Sequence, residues 1–117
     1  MLTDQRMALY SVDFEKQLLG SLLINPDSFS EIRGLVSGEM FYLHKHRWIW
    51  DAFISLKDGY AACDTTTLAN ELDRKGYLEE IGGYFYLTEL INSVPSSLHI
   101  STYGQIVHRD YLRRLTL

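Results

Sequence analysis

The chain has 117 residues, 46% apolar and 22% charged, enough to bury about two-thirds of its unfolded surface in one core and too apolar for a disordered tract. Its longest apolar run, Leu18 to Ile24, is broken by Gly20 and Ser21 and falls far short of the ~20 residues of a membrane span, while Met1 to Tyr10 carries Asp4 and Arg6 and lacks the apolar stretch of a secretory signal. A net charge of -4 argues against a domain built mainly to grip a phosphate backbone, and the single cysteine, Cys63, excludes an internal disulfide, so a reducing cytoplasm is the expected setting.

Residues 1–10 read as a tail. Val12 to Ile24 places Leu18, Leu19, Leu22 and Leu23 at helical spacing, and Asn25-Pro26 ends that helix and opens a short second one, with Asn25 as cap, that runs to about Arg33 before Gly34. His44 to Asp58 puts Trp48, Ile49, Ala52, Phe53 and Leu56 on one face, with Gly59 as a stop. Asp64 is a good cap for Thr65 to Lys75, where Leu68 and Leu72 face inward and Gly76 supplies a left-handed closing residue.

Gly82-Gly83 precedes Tyr84 to Val94, whose Tyr-Phe-Tyr run has strand propensity, but Leu87, Leu90, Ile91 and Val94 recur at helical spacing, and the spacing predicts a helix. Pro95-Ser96-Ser97 breaks it. From Leu98 on, Ile100, Tyr103, Val107, Tyr111 and Leu115 mark a last helix with no stop signal, which predicts a polypeptide continuing past Leu117. No repeat or linker divides the chain, so the expected fold is all-α, a compact bundle of about six helices.

Chemistry is scarce in this pattern. None of the four lysines, Lys16, Lys45, Lys57 and Lys75, follows a glycine, so no phosphate-cradling loop is present. His44 and His46 diverge by about 200° on a helix and cannot share one ion; each is expected beside an aromatic four residues on, Trp48 and Trp50. Glu79 and Glu80 diverge, as do Asp13 and Glu15, and Cys63 reads as a small buried hydrophobe rather than a nucleophile. No catalytic, cofactor or metal residue is therefore assigned. The candidate contact residues are the aromatics Tyr84, Phe85, Tyr86, Tyr103 and Tyr111, which serve either core or interface, and Arg109, Arg113 and Arg114, which with His108 form the one basic cluster, a solvated helix face or a contact.

Four blocks in order carry a resemblance. They are Glu15-Lys16-Gln17-Leu18-Leu19-Gly20-Ser21-Leu22-Leu23; Met40-Phe41-Tyr42 with His46, Ile49, Ala52 and Leu56; Asp64-Thr65-Thr66-Thr67-Leu68 with Glu71-Leu72; and Gly82-Gly83-Tyr84 with Tyr86-Leu87, Pro95-Ser96, Tyr103, Ile106-Val107 and Arg114-Leu115. Over Tyr10 to Leu117 the chain resembles the N-terminal domain of the DnaB-type replicative DNA helicases of bacteria and phages, with Phe14 where that family commonly has a small residue.

The resemblance implies a helical head over residues 11–97 and, over 98–117, the start of a helical hairpin whose remainder, with the ATPase motor that binds ATP and Mg2+, is absent. It also implies a homohexameric ring in the full-length protein, a monomer or dimer for this piece, and docking of primase and a helicase loader. ATP-driven 5'-to-3' unwinding would lie in the missing motor, and direct DNA binding would be weak. The helicase-interaction domain of a bacterial primase, similar in fold, is the alternative.

Overall fold

Leucines 18, 19, 22 and 23 fall on one stripe of a helix, and burying that stripe against apolar faces elsewhere organises the chain. The computed structural model describes residues 4–116, with side chains from Val12 onward except Leu98. Six α-helices follow in order: α1 (Asp4–Ile24), α2 (His44–Asp58), α3 (Thr65–Arg74), α4 (Leu78–Ile81), α5 (Gly83–Asn92) and α6 (Ile100–Leu115), with 3-10 turns at Pro26–Glu31, Gly38–Met40 and Ser97–His99. Among the described residues there is no strand, and no helix is long and apolar enough to cross a membrane.

α1 is the central element. It packs along α5 and α6 and touches α2, while α3 joins α2 to α5. Leu18, Leu19 and Leu22 meet Ile49, Phe53, Leu68, Leu72, Leu87, Leu90, Ile100 and Val107 in one core, all essentially without exposure. Phe29 in the Pro26–Glu31 turn lays its ring 5.7 Å from Trp50 and 5.8 Å from Phe53, tying the turn to α2. Glu71 of α3 accepts a bidentate bond from Arg74 at 3.0 and 2.9 Å; that guanidinium, with the Ser55 hydroxyl of α2, holds its carboxyl at about 2.

Several boundaries differ from the periodicity. α1 begins at Asp4, eight residues before Val12, because no Pro or Gly interrupts 4–12 even though the apolar spacing does not reach back that far. The segment after Asn25 is a six-residue 3-10 turn rather than an α-helix; Asn25 holds the cap position without a side-chain bond, its backbone carbonyl accepting the Ser28 N–H at 3.0 Å and the Ser28 hydroxyl at 2.6 Å. α4 was not anticipated: Gly82 at φ 108 closes it after one turn, too short to leave a periodic trace. The predicted cap at Asp64 is a full capping box with Thr67, in which the Asp64 side chain accepts from Thr67 N–H at 2.8 Å and Asp64 N–H donates to Thr67 Oγ1 at 3.0 Å.

Two helices end in the same six-to-one closure with different residues at the left-handed position. After α3, Tyr77 N–H reaches Leu72 C=O at 2.9 Å over Gly76 at φ +83, as expected. After α2, Ala61 N–H reaches Leu56 C=O at 2.9 Å, but the left-handed residue is Tyr60 at φ 57; Gly59, the expected stop, sits at φ -86. A tyrosine thus occupies a conformation that costs a residue with a Cβ about 1–2 kcal/mol.

Gly20 sets the approach of α1 to α5. A Cβ there would lie 2.1 Å from Leu90 O and 2.5 Å from Val94 Cγ2, so the backbones themselves are in contact. Gly20→Ala is expected to destabilise by about 2–3 kcal/mol or more, read as a lower urea midpoint at unchanged slope; a midpoint within error of the parent would refute the contact. Tyr60→Gly should instead stabilise by about 0.5–1 kcal/mol, visible as a rise of a few degrees in Tm.

Candidate functional site

Glu15 lies one turn before Leu18 and Leu19 on the buried stripe of α1, and so is carried into the core, where it is fully buried. A carboxylate in that position must be fully hydrogen-bonded. One oxygen accepts from Tyr42 N–H; the other accepts from Leu43 N–H at 3.5 Å and from His46 Nδ1 at 2.6 Å. Tyr42 and Leu43 lead into α2, whose cap residue has no side-chain cap of its own, so Glu15 of α1 serves as the cap from another helix.

His46, also fully buried, places Nε2 2.6 Å from the Tyr86 hydroxyl of α5. Burial pushes the imidazole below its ordinary value despite the neighbouring Glu15 carboxylate. The neutral ring donates from Nδ1 to Glu15 and accepts at Nε2 from the Tyr86 hydroxyl. Burial first, then the Glu89 and Glu15 carboxylates, push the Tyr86 phenol well above its usual range, so it keeps the proton it donates. Lys45 Nζ sits 3.8 Å over the Tyr86 ring, and Lys16 pairs with Glu89 at 2.7 Å beside it.

This triad joins α1, α2 and α5. Its chemistry is structural: both ring nitrogens are committed and the imidazole is sealed from solvent, so it has neither a reacting partner nor a path for one. The expected His46–Trp50 pairing is corrected: His46 meets Tyr86 and, edge-on at 6.3 Å, Phe41, whereas His44 does lie 6.4 Å from Trp48. Sequence reasoning missed the triad, although a Glu and a His each placed on an apolar helical stripe was the available signal.

The candidate contact residues separate cleanly. Gly82 and Gly83, at φ 108 and 74, swing the chain into α5 so that Tyr86 points inward while Tyr84 and Phe85 point outward, 49% and 77% exposed. Tyr103 is in the core, its hydroxyl donating to Ser96 C=O at 3.2 Å, and like Tyr86 it is buried. Tyr111 is half-buried under Arg114. Arg114 turns inward, bonding Met40 C=O at 2.7 Å and lying 5.5 Å over the Tyr42 ring, and His108 donates to Leu35 C=O at 2.9 Å. Arg109 donates to the Asp110 carboxylate at 3.1 Å and Arg113 lies 3.9 Å from the same oxygen, the two arginine side chains remaining 51% and 55% exposed. No cluster of three or more His, Cys, Asp or Glu that could hold a metal occurs among the described residues.

Tyr86→Phe removes the donor to His46 Nε2 and should cost about 1–3 kcal/mol. Because the folded imidazole titrates below its ordinary 6.5, the unfolded chain binds the proton more readily; this contribution is complete above about 6.5 and declines as the pH falls below it. Tm measured from pH 8 to 5 should drop on the acid side, and His46→Gln, though less stable throughout, should lose that part of the decline. An identical acid slope in the variant would remove His46 from the account.

The DnaB-like helicase N-terminal domain family matches residues 7–109. The chain is 32% identical over 115 residues to the replicative DNA helicase DnaC of Bacillus subtilis, covering 97% of this chain and 25% of that protein. It is 31% identical to the replicative DNA helicase DnaB of Rhodothermus marinus and 35% identical to that of Mycobacterium leprae, covering 94% and 86% of this chain and 12% and 17% of those proteins. The crystal structure of the N-terminal domain of DnaB helicase from Mycobacterium tuberculosis superposes with a TM-score of 0.85 at 34% identity, over 90% of this chain and 77% of that one. The chain thus spans between an eighth and a quarter of the length of the curated relatives it matches. An all-helical bundle whose α1, α2 and α5 are tied by one buried triad, matched in sequence and in shape alike, belongs to the DnaB-like helicase N-terminal domain family.

Proposed function

We propose that this chain is the head domain of a hexameric replicative DNA helicase, pairing subunits in the ring and receiving primase and a helicase loader. The observation that carries the docking part is the pair of outward aromatics, Tyr84 and Phe85, set immediately before the anchored Tyr86. Large exposed rings on a rigid base lose little conformational entropy on contact and are the side chains that anchor protein interfaces. Pairing needs a self-complementary patch, since a two-fold contact uses the same surface on both partners.

In this reading ATP and Mg2+ belong to the motor of the full-length helicase. The residues here do not fit a nucleotide, for no lysine follows a glycine. Regulation is linkage: a partner that prefers one pairing of heads shifts the ring toward it.

The test is the unwinding rate of the full-length helicase with and without primase. Tyr84→Ala with Phe85→Ala, which leaves Tyr86 and the triad in place, should reduce primase stimulation at least about tenfold in the primase concentration required, with basal unwinding unchanged. Stimulation equal to the parent's would remove this surface from primase docking.

A further inference from the structure

The exposed rings of Tyr84 and Phe85 open a face that runs along α5, for Thr88, Glu89 and Asn92 follow them at steps of three and four residues and none of these is buried. The charge around this face has one sign. Residues 76–98 hold three glutamates, Glu79, Glu80 and Glu89, and no lysine, arginine or histidine. Glu89 is answered by Lys16 at 2.7 Å, while Arg74 and Lys75 are committed to Glu71 and Lys45 lies over the ring of Tyr86. Glu79 and Glu80, both exposed on α4, pair with no cation among the described residues.

Only the Gly82-Gly83 turn separates Glu80 from Tyr84, and a connection of four residues keeps the two within about 14 Å by chain length alone. The aromatic pair thus stands beside two uncompensated negative charges, at a separation over which charge still acts at low salt. Sign decides what such a face accepts. A phosphate backbone or an acidic segment would set like charges against Glu79 and Glu80. Lysines or arginines on either side of a large apolar side chain would satisfy both halves of the surface, the apolar group against the rings and the cations against the glutamates.

We propose that the α4–α5 face accepts a basic protein segment, an apolar side chain flanked by lysines or arginines, which Glu79 and Glu80 recruit and Tyr84 and Phe85 hold. This rests on the reading of Tyr84 and Phe85 as the primase-docking surface and adds the chemistry that the partner must bring. Charges at the rim of a contact act chiefly on the rate of association and its salt dependence, whereas buried anchors act on the rate of dissociation, so the two roles separate kinetically.

Binding of primase to the immobilised full-length helicase, followed in real time at low and high salt, tests it. Glu79→Lys with Glu80→Lys should slow association about tenfold at low salt, leave dissociation within about twofold, and match the parent near 1 M salt, where the screening length is about 3 Å. Glu79→Gln with Glu80→Gln should give a smaller loss of the same kind, and it reports on the charge should the lysine pair lower Tm. Tyr84→Ala with Phe85→Ala should hasten dissociation about tenfold and keep the parent's salt dependence. Asp27→Lys with Glu31→Lys, the same reversal in a turn that packs on α1 and α6, should bind as the parent does, which separates local charge from the net charge of the head. The proposal is overturned, with the docking reading left standing, if the aromatic pair matters but the Glu79 and Glu80 variants associate as fast as the parent or faster, or if the Asp27 and Glu31 reversal slows association equally. If the aromatic pair itself is without effect, the docking reading fails and the proposal falls with it.

Discussion

One carboxylate holds the arrangement together. Glu15, buried on α1, is tolerable there only because the two N–H groups leading into α2 and the imidazole of His46 satisfy it, and His46 is in turn satisfied only by the Tyr86 hydroxyl. Each partner comes from a different helix, so the burial requirement of one residue becomes a requirement on the relative placement of three. Apolar packing supplies most of the driving force for burial, but it is tolerant of sliding; a chain of directional bonds is not. The register of α1, α2 and α5 is what this chain of bonds selects.

The same residues explain why widely separated blocks carry the family likeness. Glu15 lies in the first block, Tyr42 and His46 in the second and Tyr86 in the last, and the fold brings them to one point. Gly20 of the first block lies against Leu90 of α5 and Val94 just beyond its end, where only a missing side chain allows the approach. Much of these motifs lies in the interior, while exposed side chains lie within and beside them: Tyr84 and Phe85 before Tyr86, Arg109 and Arg113 before Arg114.

Local signals in the sequence read well and distant ones did not. The Leu18–Leu23 stripe, the Asp64 cap and the Gly76 closure depend on residues within about one or two turns, and all are found as expected. α4 and the Pro26–Glu31 turn were misjudged or missed because elements of four and six residues are too short to show a period. His46 was paired with its neighbour Trp50 because its true partner lies 31 residues upstream, and Arg114 read as a surface charge because Met40 lies 74 residues away. Tyr84, Phe85 and Tyr86 could not be sorted by type; the two positive-φ glycines before them decide which ring faces inward.

The close seating of Gly20 on the Leu90 carbonyl has a mechanical meaning. With no side chain between them, α1 and α5 have no compressible layer at that crossing, and the Tyr86–His46–Glu15 links lock them again nearby. A force applied to the two outward rings at the head of α5 therefore cannot be absorbed by rotamer changes along the way. A displacement at that end of α5 is therefore shared by α1, which packs along it.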